Sequence, residues 1–100
     1  MNLEDFHDVA QQLFLKLDQL YSDHLNIEDT QLGDGVLTLT KTNNQKIIIS
    51  RQSPVQEIWV ATPSGGYHFR WSPEKKAWID NKSHQTLDIF IKLAVEQSSS

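Results

Sequence analysis

Residues 46–71 read KIIISRQSPVQEIWVATPSGGYHFRW, and this stretch decides the fold. It contains three runs in which apolar and polar residues alternate, a pattern that predicts β-strands. A break at Pro54 separates the first two runs, because proline lacks an N–H group and restricts the residue before it. The turn-forming segment Pro63–Gly66 separates the last two. We therefore expect three antiparallel strands joined by tight turns.

Further strands are predicted on both sides of this stretch. The sequence VLTLT at 36–40 alternates with a period of two and predicts a strand. Residues 32–35 predict a tight turn that joins it to a short preceding strand, and residues 42–45 supply the next turn. The sequence AWID at 77–80 predicts the last strand. The chain therefore contains five or six strands with no helix between them.

Two amphipathic helices are predicted at the ends of the chain. The first covers residues 4–24 without Gly or Pro, and its apolar residues recur at helical spacing: Phe6, Val9, Ala10, Leu13, Leu17, Leu20 and Tyr21. The second follows a polar turn at 81–84, with Leu87, Phe90, Ile91 and Ala94 on one face. We expect an α+β fold, a two-layer α-β sandwich in which the N- and C-terminal helices pack on one face of a five- to six-stranded antiparallel sheet. Residues 1–100 would form a single domain, with 98–100 frayed.

The composition excludes several classes of protein. The 100 residues are 38% hydrophobic and 22% charged, which is typical of a folded globular domain. The chain has no cysteine, so it forms no disulfide and has no thiolates with which to hold an iron–sulfur cluster of its own. It has no apolar run long enough to cross a membrane and no secretory signal, so we expect a cytoplasmic protein without a membrane partner.

Charge is distributed unevenly along the chain. Residues 1–40 contain eight acidic residues and a single lysine, for a net charge of −7, whereas residues 41–82 contain seven basic and three acidic residues, for a net charge of +4. The acidic part should attract cations or a basic partner and should repel nucleic acid. Nucleic-acid binding is therefore not expected.

Two helices on one face of a sheet leave the other face open. If Ile58 and Val60 point toward the helices, Trp59 points away from them, beside Glu57 and either Arg51 or His68 from neighbouring strands. An exposed tryptophan in this position is a candidate anchor for a protein partner. The alternative is that Trp59 packs in a second small cluster with another aromatic residue such as Trp78, and the alternation alone does not decide between the two.

Motifs of catalytic sites are absent from the sequence. There is no cysteine nucleophile, glycine-rich phosphate loop, HExxH or GxSxG, and a turn accounts for the pair Gly65 and Gly66. The four histidines are scattered, which disfavours a tetrahedral zinc site. His24 stands apart from the other three because Asp23, Glu28 and Asp29 lie near it in sequence.

The acidic residues favour a weak site for a hard cation. Asp18 and Asp23 are roughly 140° apart on a helical wheel, so one ion cannot easily bind both. A site would combine one of them with Glu28, Asp29 or Asp34 and would be completed by water. Iron, manganese, calcium and magnesium all suit such oxygen ligands.

The sequence resembles the frataxin family, specifically its bacterial CyaY branch. The resemblance covers nearly the whole chain and is strongest in its centre, at Arg51, Gln52, Pro54, Ile58–Ala61 and Gly65–Phe69, with further matches at Phe6, His7, Ala10, Gly35–Thr38 and Trp78. It implies an α-β sandwich, weak iron binding (Fe²⁺ and also Fe³⁺) on an acidic ridge, and a role in iron–sulfur cluster assembly through contact with a cysteine desulfurase and its scaffold protein.

Carried onto this chain, the resemblance implies that Asp18, Asp23, Glu28 and Asp29 lie on the acidic ridge. Together with His24, which acidic residues surround in sequence, they form the predicted metal site. Where relatives tend to be acidic, this chain has Gln19, Ser22 and Gln31, so the ridge is thinner. The implied partner-binding surface contains Arg51, Glu57, Trp59 and His68. The expected protein is a monomer that could form iron-dependent oligomers, and it is an accessory protein rather than an enzyme.

Two other functions compete with this expectation. The first is a ferroxidase-like activity that oxidises and stores iron, but the Glu-x-x-His pairs of bundled di-iron proteins are absent. The second is an interaction module that is indifferent to metal and uses its acidic face only to steer association.

Overall fold

The computed structural model describes residues 1–97, and the expected fraying of 98–100 lies outside the described residues. Two helices pack on one face of a six-stranded antiparallel sheet, which confirms the predicted fold class. The strands follow one another in sequence order across the sheet. The elements are α1 (Leu3–Tyr21), β1 (Ile27–Gly33), β2 (Val36–Lys41), β3 (Lys46–Gln52), a 3₁₀ turn (Ser53–Val55), β4 (Glu57–Thr62), β5 (Gly65–Ser72), β6 (Ala77–Asp80) and α2 (Leu87–Glu96).

Helix α1 begins and ends at identifiable caps. The side chain of Asn2 accepts a hydrogen bond from the backbone N–H of Asp5 at 2.8 Å, which caps the first turn. The helix ends at Tyr21, whose carbonyl accepts from the N–H of His24 in the following turn, so it ends three residues earlier than predicted. Leu20 was expected on the buried face and is 58% exposed, whereas Phe14 is fully buried.

The core lies between the helices and one face of the sheet. Trp78 of β6 belongs to this core, since it is 4% exposed and packs against Phe6 and Trp71 at ring-centroid distances of 5.9 and 5.5 Å. Phe69 of β5 packs against Phe90 of α2 in the same layer. Trp78 is therefore on the helix side of the sheet, which excludes it as a packing partner for an outward-facing Trp59.

The β4–β5 turn differs from its prediction. Only Pro63 and Ser64 lie between the two strands, and Gly65 and Gly66 are the first two residues of β5. Thr62 pairs directly with Gly65, whose φ of +146° favours glycine. The expectation that both glycines form the turn is therefore wrong. Gly66 instead lies against the indole of Trp59.

Hydrogen bonds connect the end of helix α2 to the first hairpin. The side chain of Lys41, only 5% exposed, donates to the carbonyls of Ala94 at 2.9 Å and Gln97 at 2.7 Å. Asn26 donates to the carbonyl of Val95 at 3.2 Å. A cation at this end also interacts favourably with the helix dipole.

No helix among residues 1–97 is long and apolar enough to cross a membrane.

Candidate functional site

Four acidic residues lie where α1 ends and β1 begins, and we call Asp18, Asp23, Glu28 and Asp29 the acidic ridge. Asp18 is half-buried in the last turn of α1, and the other three are exposed. None of the four forms a salt bridge within residues 1–97. Their charges are therefore uncompensated by nearby lysine or arginine side chains and are available to cations.

A β-bulge brings Glu28 and Asp29 to the surface together. Ile27 pairs with Lys41 and Asp29 pairs with Thr40, so Glu28 is the extra residue. In a regular strand, residue 29 would point to the same face as the buried Ile27. The bulge instead leaves both acidic side chains exposed, at adjacent positions in the strand.

The imidazole of His24 is already used within the turn. Its Nδ1 accepts a hydrogen bond from the backbone N–H of Asn26 at 3.0 Å, and its ring packs 5.5 Å from that of Tyr21. When Nδ1 of a neutral imidazole accepts, the proton lies on Nε2. Neither nitrogen then offers a lone pair to a metal ion, so ligation by His24 requires this hydrogen bond to break. The geometry favours the carboxylates of the acidic ridge over His24 as ligands.

The acidic ridge is a row of separate carboxylates rather than a preformed cage. Among residues 1–97, no three His, Asp or Glu side chains are placed so that they could hold one metal ion together. An ion bound on the ridge would therefore meet at most two protein side chains, and water would fill its other coordination positions. Such an arrangement binds weakly and exchanges ligands readily.

The face of the sheet turned away from the helices, which we call the open face, carries Trp59 on β4. Ile58 and Val60 are fully buried beneath the helices, whereas Trp59 between them is 37% exposed. Its cross-strand neighbours are Ser50 on β3 and His68 on β5. The indole lies close over Gly66, whose missing side chain makes room for it.

Glu57 is the buried centre of a polar cluster beside Trp59. The residue is 8% exposed, and its two carboxylate oxygens accept from His68 Nδ1 at 3.1 Å and from Arg70 Nε at 2.8 Å. Asn81 Nδ2 lies 3.5 Å from the oxygen that binds Arg70. The rings of Trp59 and His68 stack with centroids 6.5 Å apart and an interplanar angle of 30°. Glu57 therefore fixes two open-face side chains rather than presenting its own charge to a partner.

Arg51 does not lie on the open face, so the expectation that it flanks Trp59 is wrong. It pairs with Ile58 across β3 and β4, and directly paired residues of antiparallel strands point to the same face, here that of the helices. Its guanidinium packs over Gly35, where a Cβ atom would come within 3.1 Å of it. Only Glu57, Trp59 and His68 of the predicted partner-binding surface share the open face.

Comparison with known proteins decides the family. The model of the frataxin-like domain matches residues 1–100. The chain belongs to the frataxin family. Frataxin from Psychromonas ingrahamii, studied as a member of the CyaY protein family, superposes with a TM-score of 0.85 at 30% sequence identity, over 95% of this chain and 89% of that one.

Two frataxin structures from the yeast Saccharomyces cerevisiae are also similar. A trimeric form complexed with ferrous iron has a TM-score of 0.71 and 28% identity, over 91% of this chain and 81% of that one. A trimeric form with the full-length N-terminus has a TM-score of 0.68 and 26% identity, over 92% of this chain and 79% of that one. The frataxin resemblance inferred from the sequence is therefore confirmed.

This frataxin-family chain also contains a pocket that its sequence does not predict. The pocket has a volume of about 510 Å³ and lies beside the Glu57 cluster, lined by Glu57, Gly66, Tyr67, His68, Asp80, Asn81, Lys82 and Ser83. At the pocket, the N–H of Asn81 donates to the carbonyl of His68 at 3.4 Å, which continues the β5–β6 pairing by one residue beyond Phe69 and Asp80. No spacing in the sequence indicates that contact.

Asp80 holds this turn together. Its carboxylate accepts from the N–H of Ser83 at 2.8 Å and from the hydroxyl of Ser83 at 2.7 Å. Burial raises the pKa of Asp80, but these two hydrogen bonds, a third from the N–H of Lys82, and the Lys82 ammonium outweigh it and lower the pKa below its ordinary value. Asp80 is therefore a structural carboxylate of the turn rather than an available ligand.

Proposed function

We propose that this chain is an iron-binding accessory protein that supplies iron to, or regulates, iron–sulfur cluster assembly by docking on a cysteine desulfurase and its scaffold protein. The main support for the proposal is that two separate surfaces of a frataxin fold carry a cation-attracting group and a protein-binding group. The uncompensated acidic ridge lies at the junction of α1 and β1, and Trp59 lies on the open face of the sheet. One surface suits a cation, and the other suits a protein.

Iron binding at the acidic ridge is supported by its ligand chemistry. Carboxylate oxygens are acceptable ligands for Fe²⁺, and the yeast relative is complexed with ferrous iron. With no more than two protein ligands and water elsewhere, the ridge would hold iron weakly and release it to a site with more ligands. We propose Fe²⁺, and secondarily Fe³⁺, as cargo carried by Asp18, Asp23, Glu28 and Asp29.

Docking through the open face is supported by Trp59 and its surroundings. A tryptophan that is 37% exposed and held by Gly66 and His68 loses little side-chain entropy when a partner covers it. Because the chain has no cysteine, the thiolates of any assembled cluster must come from the partner. A desulfurase–scaffold complex supplies both the sulfur and those thiolates, which makes it the proposed partner.

We further propose that the protein acts in the cytoplasm as a single domain over residues 1–100. It would be a monomer that associates further when iron is bound, since trimeric forms of the yeast relative exist. Its role is that of an accessory protein rather than an enzyme.

An anaerobic titration with Fe²⁺, followed residue by residue by NMR, tests the iron site. Backbone signals of Asp18, Asp23, Glu28 and Asp29 should broaden first, and the double variant Asp18→Asn/Asp23→Asn should require more iron for the same effect. Glu4→Gln, at the first turn of α1, is the matched control and should titrate like wild type. Uniform broadening along the chain, or none, would contradict the assignment.

The ferroxidase-like alternative receives no support from the described residues. A centre that oxidises and stores iron needs several ligands around neighbouring ions, and residues 1–97 bring no three such side chains together. Oxygen consumption after Fe²⁺ addition, measured against buffer alone, separates the two functions. A metal-indifferent module would instead show salt-dependent association with the partner at a rate that Fe²⁺ does not change.

A further inference from the structure

His68 is oriented by a buried carboxylate. Its Nδ1 lies 3.1 Å from Oε1 of Glu57, and a carboxylate can only accept a hydrogen bond. Nδ1 therefore carries the proton and donates it. In the neutral ring, Nε2 then keeps its lone pair, and the side chain is 56% exposed to solvent.

Glu57 is itself fixed, so it can hold the imidazole in one orientation. Its second oxygen accepts from Arg70 Nε at 2.8 Å, and Asn81 Nδ2 lies 3.5 Å from the same oxygen. The carboxylate is almost entirely buried and cannot readily turn outward to bind an ion itself. The ring of Trp59 stacks at 30° to the imidazole. His68 is thus held by a hydrogen bond and by a neighbouring ring.

The other three histidines lack this arrangement. His24 accepts at Nδ1 from the N–H of Asn26, which places its proton on Nε2. His7 has its Nε2 engaged by the Ser53 hydroxyl at 3.0 Å. His84 is exposed, and within residues 1–97 its ring has no hydrogen-bond partner that would fix its orientation. Only His68 combines a carboxylate at one nitrogen with an exposed, unprotonated second nitrogen.

We propose that Nε2 of His68 is a directed ligand for a divalent transition metal that prefers imidazole, such as Ni²⁺, Zn²⁺ or Cu²⁺, at a site separate from the acidic ridge. Metal-binding histidines commonly donate their other N–H to a carboxylate, which orients the ring and raises its basicity. Glu57 is the positioning residue in this arrangement. Water would fill the other coordination positions, so the binding is weak.

The charge around His68 decides which ions it selects. The negative charge of Glu57 is balanced by Arg70, so an approaching ion meets no uncompensated carboxylate there. Hard cations, which prefer carboxylate oxygen ligands, would therefore bind only weakly beside His68. Imidazole-preferring ions gain the nitrogen ligand. The chain would therefore sort ions by ligand type, with hard cations on the acidic ridge and imidazole-preferring ions at His68.

The proposal is tested by titrating the untagged, full-length chain with Ni²⁺ and separately with Mn²⁺, following histidine ring, tryptophan indole and backbone signals by NMR. Ni²⁺ should broaden the His68 ring and the Trp59 indole signals before the ring signals of His84, His24 and His7. Mn²⁺ should broaden the acidic-ridge signals first and should broaden the His68 signals only at higher Mn²⁺ concentrations. Equal broadening of all four histidines by Ni²⁺, or His84 first, would overturn the proposal.

Variants separate the ligand from the residue that positions it. His68→Gln, at an exposed position, should abolish the early broadening of the Trp59 signal. The other NMR signals should keep their wild-type positions, which shows that the variant is folded. Glu57→Gln should weaken Ni²⁺ binding about tenfold, because it removes the carboxylate behind the imidazole. His84→Gln is the matched control and should leave the broadening at His68 unchanged. Wild-type affinity in Glu57→Gln would overturn the role given to Glu57.

Discussion

The indole of Trp59 occupies the space above Gly66 on the neighbouring strand. A Cβ atom on residue 66 would lie 2.7 Å from Nε1 of Trp59, which is closer than Cβ atoms approach other atoms in protein structures. The two residues are near neighbours across the β4–β5 pair, where Ala61 pairs with Gly66 and Trp59 with His68. The absence of a side chain at residue 66 therefore determines how Trp59 is presented on the open face.

Gly66→Ala should displace Trp59 without unfolding the protein. The backbone at Gly66 is not in the left-handed region, so the methyl group meets the indole rather than causing backbone strain. We expect a loss of about 1 kcal/mol in the free energy of unfolding by urea, and a shifted Trp59 indole signal. Gly33→Ala is the control, because a Cβ there meets nothing within 4 Å. An unchanged Trp59 signal in Gly66→Ala would contradict this account.

Glu57→Ala should destabilise the protein modestly. It removes the acceptor for His68 and Arg70, but both side chains are more than half exposed and can bind water instead. We expect a loss of about 1 kcal/mol in urea unfolding. Glu74→Ala, at an exposed turn position, should change stability by less than about 0.5 kcal/mol. A Glu57→Ala protein as stable as wild type would show that the cluster does not stabilise the fold.

Lys41→Met should loosen the end of helix α2. The substitution keeps most of the side-chain volume but leaves the carbonyls of Ala94 and Gln97 without their buried donor. We expect a loss of about 2 kcal/mol and faster amide hydrogen exchange in the last turn of α2. Lys46→Met is the control, because this lysine is exposed and donates to the hydroxyl of Thr40. Unchanged exchange in α2 would contradict the capping role.

The contribution of Asp80 to stability should disappear at low pH. Its pKa in the folded protein lies below the ordinary value of 3.8, so the ionised form stabilises the fold above that pH and the effect is lost as pH falls through the folded pKa. The difference in free energy of unfolding between wild type and Asp80→Asn should be constant above about pH 5 and shrink below pH 4. A difference that stays constant down to pH 2 would contradict the lowered pKa.

The sequence predicts most of the fold because its strands alternate cleanly. The alternation in β4 correctly places Ile58 and Val60 on the helix side of the sheet and Trp59 on the open face. Helix α1 follows from its apolar spacing, although Leu20 in its last turn is exposed while Tyr21 beside it is buried.

The parts that the sequence does not predict depend on register and on contacts between distant residues. The register between β3 and β4 is not visible in the sequence, and a shift of one residue changes the face, so the sequence alone does not exclude Arg51 as a neighbour of Trp59. The bulge that exposes both Glu28 and Asp29 has no distinct pattern. The link from Glu57 to His68 joins residues on different strands, so only their pairing brings them together.

The proposed docking of this frataxin-family chain on a cysteine desulfurase–scaffold complex depends on Trp59. The most direct test is the affinity of the chain for that complex, measured anaerobically by interferometry with wild type, Trp59→Ala and the control Leu15→Ala, which truncates an exposed leucine of α1. The account predicts that wild type and Leu15→Ala bind equally and that Trp59→Ala binds at least about tenfold more weakly. No binding by wild type, or equal binding by all three, would contradict it.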